Sequence, residues 1–442
     1  MRGSAAGLLA LALAGLGAAW GIGCQVGGAW EAVEVSERVL YGDQTAAWGA
    51  VVTNRTQCDG HLFWDTSYTV GDGLQVEAGA RFTQQRTSTH GRPDASADVY
   101  CSTNFGMSGT NVLDGENEQG VAIAPAYDVA TRTQPGTTRT ETVRLSDYYE
   151  YYPLTLDLYI PGSSWGLTEQ ALADFAEHFH IPVPPSHRVE VSVTKNAEGQ
   201  VENVECNTVE GEQAFYARTE VTETGIYLAF DGQGLPADLA GVHRIPFIQE
   251  GNVGRVQAEA ICQVWAPDGE SRVLGLSASR DGSRLLVAAQ AGGRTELAVL
   301  DMESGALVQA VQLPCGGPGA ELVRIYQYEG FAAPVFADGG FCVLAGSGEA
   351  GYELRLAGDL TACPEVGEAA PLHDLALAYD GRQLAVAFYQ QPYRWASTYL
   401  LVYGAQGLAY AGQYDQSTDR TPPGTLPQVS PVDEEPLAVA WG

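Results

Sequence analysis

Apolar and polar positions alternate along much of the first half of the chain. LQVEAGARFT (74–83), PLTLDLYI (153–160), RVEVSVT (188–194), QVENVEC (200–206) and AFYARTEV (214–221) all show the pattern. Successive side chains of an extended strand point to opposite faces, so each segment predicts a half-buried strand. AAWGAVVT (46–53) and HLFWDTSYTV (61–70) read the same way, and VTKNAEGQVENV (193–204) predicts a hairpin turning on residues 196–199. One stretch has helical spacing. Leu172, Phe175, Ala176 and Phe179 fall at i, i+3, i+4 and i+7, with Thr168 placed to cap and Pro182, Pro184 and Pro185 placed to stop the helix. The pattern therefore predicts an all-β chain with one accessory helix near 168–180.

The second half repeats itself. Asp281-Gly282, Asp338-Gly339 and Asp380-Gly381 each precede a short apolar strand. Asp-Gly favours a tight turn, because Gly takes positive φ at little cost and Asp bonds its own backbone. Around the first turn the strands LGLSAS, RLLVAAQ, ELAVLD and ALVQAVQL form a four-stranded meander. Around the third, DLALAY, QLAVAFY, TYLLVYG and LAYAGQY do the same, and LVRIYQY, APVFA, FCVLA and YELRLAG form a looser unit between them. A four-stranded meander recurring every ~40–60 residues is the signature of a β-propeller blade, since one such sheet leaves a face unburied and stacked neighbours cover it.

The segment DGSRLLVAA…ELAVLDMESGALV resembles the bacterial YVTN-type propeller repeat, with Arg280 standing where that family favours proline. The resemblance covers residues 265–415 and implies a fold of about seven four-stranded antiparallel blades, without implying a function. Residues 25–260 would then supply divergent blades or a separate β domain, and 261–415 the recognisable blades. Residues 416–442 read as a Pro-rich arm whose LAVAW (437–441) would add a strand to the first blade and close the ring.

The first 24 residues set the expected compartment. Arg2 precedes an uncharged apolar run over 7–23, the pattern of a signal peptide or membrane anchor. Gly23-Cys24 invites lipid attachment at Cys24, although Gly21 stands where a larger aliphatic residue is expected. Each reading places the remainder outside the cytoplasm, membrane-anchored or secreted. There, disulfides among the 8 cysteines become allowed, while the absence of any C-x-x-C pair excludes a zinc ribbon. The formal charge of −31 excludes nucleic acid as a partner, because phosphate binding needs clustered Lys and Arg.

Little in the chain points to chemistry. Gly162-Ser163-Ser164-Trp165-Gly166 matches G-x-S-x-G, but the preceding strand alternates through Thr155, Asp157 and Tyr159 rather than being apolar throughout, so the motif reads as a Gly/Ser loop. His178 and His180 sit two apart and face different ways, and the helix C-terminus accounts for them without a metal. The acidic run Asp114-Gly115-Glu116-Asn117-Glu118 lacks the glycine and terminal acid of a calcium loop. No catalytic set, metal or cofactor is therefore expected. The candidate binding residues are aromatic: Tyr393, Arg394 and Trp395 in a loop interrupting the third repeat, and Tyr148, Tyr149, Tyr151 and Tyr152 near Trp165. Their flat apolar faces and polar edges suit a protein or glycan partner. The expected function is a non-catalytic binding module tethered to a membrane or secreted. The alternative is a secreted hydrolase or lactonase-like propeller enzyme with acids and histidines converging on its central channel.

Overall fold

In a computed structural model of the chain, the structure describes residues 13–18, 20, 33–58, 62–82, 95–101, 103–109, 112–113, 123–160, 164–165, 169–210, 215–223, 225–231, 235–250, 253–267, 271–347, 351–366, 372–389, 397–418 and 437–442. The chain is mostly β and divides into two compact units. One comprises Met1–Arg92, Pro314–Gly346 and Tyr352–Gly442; the other comprises Pro93–Leu313 and Ser347–Gly351.

Among the described residues the first unit holds three sheets. The carboxyl-side sheet runs Val33–Gly42, Gly407–Thr418, Ser397–Gly404, Leu384–Tyr389, Ala376–Tyr379. A second runs Leu437–Trp441, Ala50–Cys58, Leu62–Thr69, Gln75–Phe82, and a third is the meander Leu322–Tyr328, Phe331–Phe336, Gly340–Ser347, Gly351–Asp359. The Asp-Gly turns work as the sequence requires. Asp338 Oδ1 accepts the Gly340 N–H at 2.9 Å, and Asp380 Oδ1 accepts those of Arg382 and Gln383 at 2.7 Å each. Gly339 and Gly381 sit at φ 88° and 95°, where a side chain would be strained.

The side-chain period of two divides each inner strand between two cores. Leu384, Val386 and Phe388 pack with Val335, Phe341, Val343 and Tyr403. Ala385 and Ala387, between them, pack with Leu400, Val402, Val52 and Tyr68. The carboxyl-side sheet is thus covered on both faces, which explains why its strands read as continuous apolar runs. Sheets stacked in series need this pattern. A two-sheet sandwich leaves an outer polar face.

Strands from opposite ends of the chain complete two of these sheets. Leu437–Trp441 pairs antiparallel with Ala50–Cys58, while Val33–Gly42 pairs antiparallel with Gly407–Thr418. The latter strand extends into the segment read as an arm, because it has partners on both sides. A buried polar network fastens it. Glu37 Oε1 accepts the Tyr410 hydroxyl at 2.5 Å and the Tyr414 hydroxyl at 3.0 Å, and Gln44 donates to its other oxygen. Tyr68 stacks on Tyr414 at 4.9 Å. Gln416, fully buried, donates to Asn54 at 2.6 Å, and Asn54 donates to Thr398 at 3.3 Å. Burial raises the Tyr410 and Tyr414 hydroxyls above their ordinary range, so both stay protonated and donate.

The second unit contains the clearest meander, Ser271–Ala278, Arg284–Ala291, Arg294–Asp301, Leu307–Leu313. Beside its core lies a larger sheet built on Tyr216–Thr222, Gly225–Asp231, Val242–Glu250 and Val253–Val256. Gly225–Asp231 is buried along its whole length. Its Tyr227 and Ala229 pack with Leu285, Val287 and Ala298, and its Ile226, Leu228 and Phe230 with Phe175, Phe179, Tyr152 and Leu156.

Besides the two-stranded pair Ser96–Tyr100 and Thr155–Tyr159, this unit has a further sheet that is not a simple meander. It orders Phe105–Ser108, Val201–Glu210, Arg188–Lys195, Thr138–Arg144. One face, Val189, Val191 and Val193, packs on a helix, α1 (Ile123–Arg132), through Ala126, Val129 and Ala130. The other carries Thr140, Ser192, Thr138 and Thr194 hydroxyls that bond across the strands. The sequence reading predicts one helix; the expected one, α2, spans Glu169–His178, and α1 is additional. Pro125 argues against α1 in the sequence, yet it lies in the first turn, where its missing N–H costs nothing. Ser164–Trp165, read as loop, forms a short strand parallel to Val253–Val256.

No helix among the described residues is long and apolar enough to cross a membrane. Cys101, Cys262, Cys315, Cys342 and Cys363 are not joined in disulfides.

Candidate functional site

The second unit gathers titratable side chains at the carboxyl end of α2. Phe175 and Phe179 are fully buried and anchor the helix in the core. The Phe179 N–H bonds the Phe175 carbonyl at 3.1 Å, and the Ile181 N–H bonds that of Phe179 at 2.9 Å, so the helix unwinds over 179–181. The chain leaving it then pairs with the segment 150–152. Tyr152 N–H bonds the Ile181 carbonyl at 2.9 Å, and Val183 N–H bonds that of Glu150 at 3.0 Å. This pairing sets exposed Tyr151 edge-on to His180, with ring centroids 5.7 Å apart.

His178 turns the other way. Its ring meets His243 at 5.8 Å with the planes at 82°, and Phe179 lies against both. His243 lies on Val242–Glu250, whose side chains alternate between the two cores. Val242 faces the meander, while His243 shares its face with Ile245 and Phe247. Gly241 makes this entry possible. It sits at φ 102°, and a Cβ there would lie 2.2 Å from the Trp265 carbonyl oxygen. The single 3-10 turn Ala237–Leu239 then presents Asp238, whose Oδ2 is 3.5 Å from His180 Nε2. Gln263 Nε2 donates to the Ala240 carbonyl at 2.6 Å and holds this turn in place.

The electrostatics grade from surface to interior. His243 is 2% exposed, and neither ring nitrogen makes a hydrogen bond of good geometry. Its pKa is lowered to about 4, first by burial and then by His178, with a weak bond to the Leu239 carbonyl and the charge of Asp238 opposing the shift. His178 is lowered by its own burial and by His180, against Asp238. Both rings are therefore neutral near pH 7. His180 and Asp238 stand at the mouth with side chains 43% and 65% exposed. The arrangement is a notch with neutral imidazoles at its base and an aromatic ring and a carboxylate at its rim.

The tyrosines expected to bind do not share one surface. Tyr148 donates to Asp128 Oδ2 at 2.6 Å, beside α1, and burial together with that bond raises its pKa to about 12. Tyr149 packs half-buried against the core. Tyr152 is buried, sharing a 2.7 Å hydrogen bond with His187 Nδ1. Only Tyr151 reaches the notch. Tyr393, Arg394, Trp395 and Cys24 lie outside the described residues, as does the Asp114–Glu118 run. The sequence reading does not find His243; the one available signal is an imidazole on the apolar face of a strand.

No family profile matches the chain, and no curated protein does. The resemblance to the YVTN-type repeat therefore rests on the Asp-Gly segments alone. Solved structures similar to the chain are β-propeller proteins and lactonase-like proteins. They include Kluyveromyces lactis Hsv2, at 10% identity over 81% of this chain and 98% of that one, TM-score 0.29. The β-propeller domain of Cps50 (Swd1) from Myceliophteria thermophila is 11% identical over 51% of this chain and 68% of that one, TM-score 0.26. A provisionally assigned 6-phosphogluconolactonase from Bacteroides fragilis is 10% identical over 82% of this chain and 81% of that one, TM-score 0.27. At these values the architecture is argued from the chain's own sheets.

Proposed function

We propose that the chain is an extracytoplasmic β-propeller that binds a protein or glycan partner without transforming it. Residues 1–24 act as its signal peptide or membrane anchor, with Cys24 as the lipid-bearing residue if the anchor is a lipid. Residues 261–415 supply its recognisable blades, residues 25–260 divergent blades or a separate β domain, and 416–442 the arm that ends in the closing strand. The meander sheets buried on both faces support the propeller reading. The helix-covered sheet on α1 is then an insertion rather than a blade.

The observation that carries the binding role is the rim of the notch. Tyr151 keeps 41% of its surface exposed beside His180 and Asp238. An exposed aromatic face next to polar groups is the chemistry of a protein or sugar contact. In the sequence, Tyr393, Arg394 and Trp395 offer a second set of side chains of the same chemistry.

Screening purified protein lacking residues 1–24 over immobilised glycans and peptides tests the role. Tyr151→Ala and Trp395→Ala are each expected to weaken the captured partner at least tenfold. Lactone or ester hydrolysis by the wild type, or capture indifferent to both variants, would overturn the reading. Fractionation of the full chain tests the compartment: it is expected in the membrane or the secreted fraction.

A further inference from the structure

We infer that His178 and His243 are the two fixed ligands of a divalent transition-metal site, zinc by preference, completed by His180, Asp238 or water. This goes beyond the binding role, since the metal would be held whether or not a partner docks.

The first observation is geometric. At a zinc–nitrogen distance of about 2.0–2.1 Å, an imidazole centroid lies about 3 Å from the ion, so two rings at a tetrahedral angle stand about 5 to 6 Å apart. The His178 and His243 centroids are 5.8 Å apart. Nitrogen ligands of this kind suit zinc, copper or nickel, whereas calcium and magnesium prefer oxygen.

The second observation is independent of that spacing. His243 is almost completely buried and neither ring nitrogen makes a hydrogen bond of good geometry, the Leu239 carbonyl being only a weak acceptor nearby. Buried polar groups in folded proteins are nearly always satisfied, and a neutral imidazole carries one donor and one acceptor. The Leu239 carbonyl accounts for at most one ring nitrogen, and a ligand would satisfy the other. The third observation lies at the mouth. Asp238 stands 3.5 Å from His180 Nε2, the carboxylate–imidazole pairing that commonly orients metal-binding histidines.

Among the described residues no three His, Cys, Asp or Glu side chains already converge on one point. A third protein ligand therefore requires a side-chain rotation. His180 and Asp238 are the groups free to make it, because both are substantially exposed and neither has to cross packed core.

The test uses untagged, chelator-treated full-length protein and zinc chloride alone. Equilibrium dialysis with elemental analysis is expected to find about one zinc per chain, and cobalt substitution to give the visible absorption of a low-symmetry four-coordinate site. His243→Phe, which keeps an aromatic ring among Phe179 and its neighbours, is expected to lower zinc affinity at least 100-fold. His178→Gln tests the same site at a half-buried position that tolerates the change, with at least a tenfold loss expected. Asp238→Asn is expected to lower affinity about 10-fold, as for other groups that orient a ligand. Zinc should raise the melting temperature of the wild type and leave that of His243→Phe unchanged. Wild-type protein that retains no zinc, or zinc retained equally by His243→Phe and His178→Gln, would overturn the inference. Either result would leave the partner-binding reading standing, because that reading is measured through Tyr151 and Trp395.

Discussion

At the scale of single residues, two positions govern the notch. Gly241 holds a conformation that side chains rarely adopt, and its missing Cβ leaves room for the Trp265 carbonyl. Gly241→Ala is expected to destabilise the protein by about 2–4 kcal/mol and to displace His243, as denaturant titration would show. His243 links stability to pH. Its folded pKa of about 4 lies below the unfolded imidazole value, so protonation favours unfolding. Stability is complete above about pH 6.5 and falls as pH drops from there toward the folded value, by about 3 kcal/mol in all. His178 and His187 are lowered in the same direction and add to the loss. Asp281 and Asp301 act at lower pH. Turn hydrogen bonds hold both below their ordinary range, so their contribution is present above the unfolded carboxylate value and lost only as pH falls below it. Denaturant titrations at pH 7.5 and 4.5 in chelator should show a smaller pH loss for His243→Phe than for the wild type. Equal losses would mean that His243 is already solvated.

Elements were legible in the sequence where one pattern decided them. The three Asp-Gly meanders have strands where alternation and turn chemistry place them, because Gly282, Gly339 and Gly381 all adopt positive φ. α2 was legible from its apolar spacing. α1 was hidden by Pro125, and the pairing of Val33–Gly42 with a strand more than 300 residues away leaves no local signal. Pairing of the carboxyl-terminal strand makes it a test of energetics. Leu437 is buried and Trp441 Nε1 donates to the Ala378 carbonyl at 3.1 Å. Truncation after residue 436 is expected to cost at least about 3 kcal/mol, from one buried aliphatic side chain and the lost ladder bonds. It also bares the edge of Ala50–Cys58, so aggregation on size-exclusion chromatography should accompany the loss. Cys342 is buried with its thiol in contact with that of Cys315, and this contact together with burial raises its pKa far above the ordinary thiol value. Mass spectrometry after rapid alkylation should find these two joined in protein recovered from an oxidising compartment and both alkylated in protein made in a reducing one. Alkylation of both in exported protein would count against the contact.

At the scale of the whole molecule, the sequence pointed to repeated sheets more clearly than to a site. Repetition is written in every turn, whereas the notch joins residues from α2, the segment 150–152, a 3-10 turn and a strand, none of which carries a motif. The account stands on sheets stacked in series and completed by strands from opposite ends of the chain. Those end strands can be tested directly. Thr53 and Ala438 are directly opposed across the ladder between Ala50–Cys58 and Leu437–Trp441. Opposed Cβ atoms in such a ladder lie about 4.5–5.5 Å apart, within reach of a disulfide. The decisive measurement is oxidative cross-linking of the Thr53→Cys, Ala438→Cys double variant, read by peptide mass spectrometry. The account predicts an intramolecular 53–438 disulfide in monomeric, folded protein. Recovery of free thiols at both positions, or of cross-links only between chains, would contradict it.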